Sequence, residues 1–157
     1  MEIALNVNGE ARRVSAAETA TLLDVLRNHL GLMGTRYGCG LEQCGSCMVL
    51  VDGTPTYACT REASTVVGKA IVTVEGLGSA DKPHPLRQAF LDEQAGQCGY
   101  CLSGILMSSK ALLDRNPRPS RADIVAALDR HLCRCGAHQR ILRAVERAAA
   151  VLREAKP

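Results

Sequence analysis

Eight cysteines in 157 residues fall into two groups of four, and their spacing constrains the chain more than any other feature. Cys39, Cys44, Cys47 and Cys59 are spaced C-x4-C-x2-C-x11-C. Cys98, Cys101, Cys133 and Cys135 are spaced C-x2-C-x31-C-x-C. No cysteine is left over. Each quartet supplies the four thiolates that a two-iron cluster needs, so the fold has to close two loops onto two small sites. The rest of the composition makes such staples useful. Aromatic residues are 3% of the chain, Trp is absent and Phe90 is the one Phe, so the core has to be aliphatic. A half-sized domain of that kind is marginal alone, and metal bound only in the folded state adds its binding energy to folding.

The formal charge of +3 is no argument for nucleic acid. Two [2Fe–2S] clusters, each about −2 with its four thiolates, bring the assembled chain to about −1. Arg134, Arg140, Arg143, Arg147 and Arg153 alternate with apolar and acidic residues, as on a solvated helix face. No stretch of 18 apolar residues is present, so no membrane span is expected. The start, MEIALNVNGE, is acidic and strand-like and lacks the basic-then-apolar pattern of a secretory signal. A cytoplasmic protein is expected, or one exported with a partner that carries the signal.

The first half reads as β. Ile3, Leu5 and Val7 alternate, Asn8-Gly9 signals a type I′ hairpin, and residues 11–14 return. Residues 21–30 carry Leu22, Leu23, Leu26 and Leu30 at helical spacing, and Gly31 stops the helix. A glycine-rich cysteine loop follows, then strands at 48–51, 54–59 and 70–74, with Asp52-Gly53 between the first two. Residues 77–85 are rich in Gly, Ser and Pro and mark a linker. Beyond it the pattern is helical, at 86–94, 101–113, from Ser120, and 139–152. The expected class is α+β: a [2Fe–2S] domain over residues 1–76, the linker at 77–85, and a helical-bundle [2Fe–2S] domain over 86–157.

The first quartet has the plant-type ferredoxin spacing. Gly38, Gly40 and Gly45 flank its cysteines and let bare backbone approach a cluster, where N–H groups can donate to sulfur. In the second, Cys98 and Cys101 lie three apart, as on one face of a helical turn. Cys133 and Cys135 lie two apart on one side of an extended segment, so each pair could serve one iron. Zinc is a rival metal for the second quartet. Disulfides fit poorly with a chain lacking a signal. A Rieske centre would need His beside Cys, and His29, His84, His131 and His138 form no such pair. His131 and His138 read as packing or surface residues, Met107 as core, and Tyr37, Tyr57 and Tyr100 as packing.

The segments YGCGLEQCGSCMVLVDG, QCGYC and LCRCG, in this order and spacing, closely resemble the iron–sulfur subunit of the molybdenum hydroxylases, the xanthine oxidase family. The resemblance covers essentially the whole chain. It implies a plant-ferredoxin-like β-grasp domain followed by a four-helix bundle, each with one [2Fe–2S] cluster. It implies a large partner subunit carrying a molybdenum cofactor, molybdopterin cytosine dinucleotide, that hydroxylates an aldehyde or N-heterocycle. Electrons would pass from molybdenum to the cluster of Cys98, Cys101, Cys133 and Cys135. The cluster of Cys39, Cys44, Cys47 and Cys59 would be next, followed by a FAD subunit or a cytochrome c. Gln97 and Cys135 would approach the pterin, and the chain would hold no substrate site. Polar Glu42, Gln43 and Ser46 depart from the smaller or apolar residues expected in that loop. A free ferredoxin-like carrier is the competing function. The subunit reading expects an apolar partner-facing surface on the bundle, which a carrier does not need.

Overall fold

The computed structural model describes residues 1–155. The last two residues of the expected helical half lie outside them. Five strands form one mixed sheet in the order β2-β1-β5-β3-β4: β1 (Glu2–Val7), β2 (Glu10–Ser15), β3 (Met48–Val51), β4 (Thr54–Tyr57) and β5 (Ala70–Val72). β1 and β5 run parallel and the other neighbours antiparallel. Both expected hairpins form at positive φ, Asn8-Gly9 (53° and 83°) and Asp52-Gly53 (48° and 75°), as type I′ turns require. β5 ends two residues earlier than the pattern suggests, because Val74–Gly76 winds into a 3₁₀ turn.

The helix expected over 21–30 forms differently. Thr21 caps a single α-turn, α1 (Leu22–Asp24), by accepting the Asp24 N–H. The chain then widens into a π-helix at Val25–His29, with the Leu30 N–H reaching back to Val25 O. The wider turn buries Leu22, Leu23, Val25 and Leu26 together on the sheet and leaves Leu30 half-buried. Tertiary packing has overridden the simple 3.6-residue stripe.

Four helices follow: α2 (Pro85–Asp92), α3 (Leu102–Arg115), α4 (Arg121–Leu128) and α5 (His138–Glu154). Ser120 and Asp123 make a complete reciprocal capping box on α4. Arg143 and Arg147 of α5 reach Glu93, and Arg147 also reaches Asp92, across the α2–α5 contact. At such exposed sites these pairs add little beyond orientation.

The two halves share the sheet. Every residue of β3 is buried. Val49 and Val51 pack with α1 and the first strands, whereas Met48 and Leu50 point the other way, into a core with Ile105, Met107, Ile124 and Ile141. Segment 77–85 is also docked. Leu77 is fully buried in the helical core, and Gly78 bridges to Pro83. Leu50, 1% exposed, sits where the halves meet. Leu50→Ala should therefore loosen both at once, at a cost of about 2–5 kcal/mol. Anaerobic denaturant unfolding of the cluster-loaded protein checks this value.

Candidate functional site

The eight thiols gather in two places, at the edge of the sheet and beside the start of α3. The first quartet sits in the loop after the π-helix. Gly40 (φ +71°), Glu42 (φ +58°) and Gly45 (φ +77°) turn the loop so that its amides face sulfur. The Leu41 and Gln43 N–H groups donate to Cys39 Sγ at 3.3 and 3.2 Å, and the Cys39 N–H to Cys44 Sγ at 3.4 Å. A side chain at Gly38 would place its Cβ 2.6 Å from Cys44 Sγ, so the cradle accepts only glycine without movement. Cys59 arrives from the turn after β4. Its thiol contacts Cys47, which is 2% exposed, while Cys39 contacts Cys44.

The second quartet is built by two segments. Cys98 and Cys101 lie in the turn that leads into α3, with Gly99 at φ +77°; Cys133 and Cys135 lie in the connection between α4 and α5. The pairing differs from the one spacing suggests. Cys98 contacts Cys135, and Cys101 contacts Cys133, so each thiol pairs across the segments rather than along its own. The reason is that Cys98 and Cys101 do not share a helical face. Cys98 is exposed in the turn, whereas Cys101 opens α3 and is buried.

Each site thus has an outer and an inner pair, and Cys39 and Cys98 of the outer pairs contrast with the buried Cys47 and Cys101 of the inner ones; Cys133, beside Cys101, is itself lowered, against burial, with the Ala137 N–H helping. The Leu41 N–H, against the opposing effect of burial, holds Cys39 down to about 7, with further N–H groups from Gln43 and Cys44 helping. The Tyr100 N–H and the Cys135 contact lower Cys98 as well. Burial pushes Cys47 and Cys101 up to about 12. Buried thiols like these are poor nucleophiles and ionise readily only onto metal. The residues fit an iron–sulfur group: thiol donors alone, in two pairs per site, with N–H groups aimed at sulfur and bare backbone beside it. Two pairs of thiols per site suit two irons.

Several residues join the two sites. The Leu132 N–H donates to Cys44 O at 3.1 Å, so a neighbour of Cys133 is bonded to the peptide of Cys44. Arg36 reaches Gly99 O and lies over the Tyr100 ring, 5.2 Å from its centroid, and Tyr100 Oη donates to Tyr37 O. On α3, Gly104 packs directly on the Gly45 carbonyl. Sequence reading did not find Arg36, Gly104 or Leu132, because nothing in their spacing links them. It did place Met107 in the core, where it is fully buried. His131 is a packing residue, 4% exposed, with Nε2 at 2.7 Å from Ser108 Oγ. Burial holds its pKa down at about 4, so the ring is neutral. His138 and Arg134 are exposed.

Gln97 is exposed beside Cys98, and its Oε1 accepts from Arg140 Nη2 at 2.8 Å. Both line a groove of about 560 Å³ with Phe90, Leu91, Gly99 and Leu102. Leu91 is 70% exposed there.

Known proteins repeat this arrangement. Residues 5–71 match the 2Fe-2S iron-sulfur cluster binding domain and residues 73–146 the [2Fe-2S] binding domain. A nicotinate dehydrogenase subunit of Pseudomonas putida is 52% identical over 97% of both chains. The chain belongs to the iron–sulfur subunits of the molybdenum hydroxylases, the xanthine oxidase family. Solved relatives agree. Quinoline 2-oxidoreductase from Pseudomonas putida 86 superposes with TM-score 0.93 at 35% identity, over 100% of this subunit and 98% of that chain. Aldehyde oxidoreductase from Desulfovibrio desulfuricans also gives 0.93, at 42% identity; the match spans 98% of this subunit and 17% of that longer chain. The subunit carries two [2Fe–2S] clusters, and no helix among its described residues is long and apolar enough to cross a membrane.

Proposed function

We propose that this subunit relays electrons from the molybdenum cofactor of a large partner subunit to a FAD subunit or a cytochrome c. Cys98, Cys101, Cys133 and Cys135 hold the cluster near the donor, and Cys39, Cys44, Cys47 and Cys59 hold the one near the acceptor. The clusters supply one-electron redox chemistry at potentials set by burial and hydrogen bonding. The observation that carries the reading is the paired geometry of two thiol sites joined by the Leu132 N–H to Cys44 O bond.

The protein's own residues do the rest. The amides of Leu41, Gln43 and Tyr100 stabilise charge on the outer sulfurs, and one thiol of each inner pair, Cys47 and Cys101, is buried in the core, with Cys59 and Cys133 half-buried beside them. Gln97 and Cys135 face the pterin, Gln97 from the groove that Arg140 also lines. An apolar rim that includes Leu91, together with the occurrence of this fold inside a longer aldehyde oxidoreductase chain, supports docking against a large subunit. The names of the relatives, nicotinate dehydrogenase and quinoline 2-oxidoreductase, support an N-heterocycle as the complex's substrate, with an aldehyde as the other class. We divide the chain at residues 77–85. We place assembly in the cytoplasm, where eight reduced thiols persist.

Metal and acid-labile sulfide analysis of the complex from its native host, with electron paramagnetic resonance after dithionite reduction, tests this. About four irons and four sulfides per chain, two distinct rhombic signals, and molybdenum in the same peak are expected. A single signal with zinc would remove the helical quartet from the path. A stable, freely shuttling monomer without molybdenum would favour the carrier.

A further inference from the structure

We propose that His131 is a positioning residue for electron exchange between the two cysteine sites, holding the Leu132 N–H on the carbonyl of Cys44. The proposal rests on the reading above that both quartets hold clusters and exchange electrons through this junction.

The connection between α4 and α5 has no regular structure around residue 131, so its position depends on side chains. Leu132 is 64% exposed and cannot anchor it. His131 can. Its own N–H closes a turn onto Leu128 O at 3.0 Å, and its Nε2 lies 2.7 Å from Ser108 Oγ on α3. The other edge of the ring abuts the first cysteine loop: a Cβ on Gly45 would lie 2.3 Å from His131 Nδ1. That nitrogen is buried with no hydrogen-bond partner among the described residues, so the ring is held there by shape and by Ser108. Gly104, one turn before Ser108 on the same face of α3, seats the Gly45 carbonyl. Helix α3 thus fixes the loop of the first site directly and the second segment of the other site through His131. The next peptide after the ring makes the Leu132–Cys44 bond, and the residue after that is Cys133. A ring that keeps to one rotamer between two rigid walls gives this bond one length, whereas a smaller side chain leaves the segment free to shift.

The test uses the complex with both clusters loaded and three variants. His131→Leu keeps bulk and loses the Ser108 contact. His131→Gln restores a nitrogen near the Nε2 position. Ser108→Ala removes a single oxygen from the other side. Hydrogen exchange at the Leu132 amide reads the bond itself. Spin–spin splitting between the two reduced clusters, with the exchange rate after flash reduction, reads the junction. For His131→Leu we expect Leu132 exchange to rise about tenfold and cluster-to-cluster transfer to slow about tenfold. His131→Gln should return both toward wild type, and Ser108→Ala should move both in the same direction by less. Unchanged exchange, splitting and transfer in His131→Leu and Ser108→Ala, with both signals present, would overturn the proposal. Should His131→Leu fail to load its clusters, Ser108→Ala decides alone. Wild-type protein with one cluster would instead remove the electron-relay reading, and Leu132 exchange would still judge what His131 holds.

Discussion

Gly104→Ala is expected to destabilise the protein by about 3 kcal/mol or more, the upper end of the overpacking range, and to lower Tm by about 10 °C in a chain of this size. Helix propensity alone says the reverse, since alanine inside a helix is worth up to about 1 kcal/mol over glycine. Tertiary contact decides the sign. The added Cβ would lie 1.9 Å from the Gly45 carbonyl oxygen and 2.9 Å from its carbon. Both atoms are backbone, and the loop that owns them carries Cys44 and Cys47 on either side. Relief requires α3 and the cysteine loop to part, which strains the first site as well as the core. Gly96→Ala is the control. Its nearest clash, at 2.5 Å, is the tip of the Leu102 side chain, which can rotate away, so a loss of about 1 kcal/mol or less is expected. Thermal melts of the loaded variants, with iron content measured alongside, compare the two. Equal melting of Gly104→Ala and wild type would mean that α3 does not rest on this loop.

Cys101→Ser is expected to remove one cluster and silence the relay. Cys101 lies in the helical core, 8% exposed and in contact with Cys133, so a serine there leaves a buried hydroxyl and an incomplete ligand set. Iron and sulfide should fall from about four to about two per chain, with one paramagnetic signal lost and the other kept. Substrate should then fail to reduce the remaining cluster, while dithionite still reduces it, because electrons from the large subunit would have to cross the empty site. Cys47→Ser should give the complement: the other signal disappears, and substrate still reduces the helical cluster. Retention of both signals in either variant would contradict the assignment of ligands. Reduction of the ferredoxin-half cluster by substrate in Cys101→Ser would contradict the order of the path.

Both experiments separate features legible in the sequence from features that were not. Cysteine spacing is local information, since the loop that carries Cys39, Cys44 and Cys47 curls through its own residues Gly40, Glu42 and Gly45. Type I′ turns at Asn8-Gly9 and Asp52-Gly53 are local for the same reason, and so is the capping box of Ser120 and Asp123. The helix at 21–30 was legible in kind but not in pitch. The buried run Leu22, Leu23, Val25 and Leu26 has to meet a sheet whose contour the sequence does not state.

By itself, the sequence determined two thiolate quartets, a β half followed by a helical half, and through its motifs the family. Those rest on residue type and short spacing, which chemistry reads directly. Only the tertiary structure decided which thiols pair. Cys101 meets Cys133 across 31 intervening residues, and Cys98 meets Cys135 outside them. It also decided that β3 serves two cores, that Gly104 must lack a side chain, and that Leu132 bonds to Cys44. Each of these joins residues far apart in the chain, where the cost of closing the loop is met by packing summed over the whole molecule and no local pattern records the outcome.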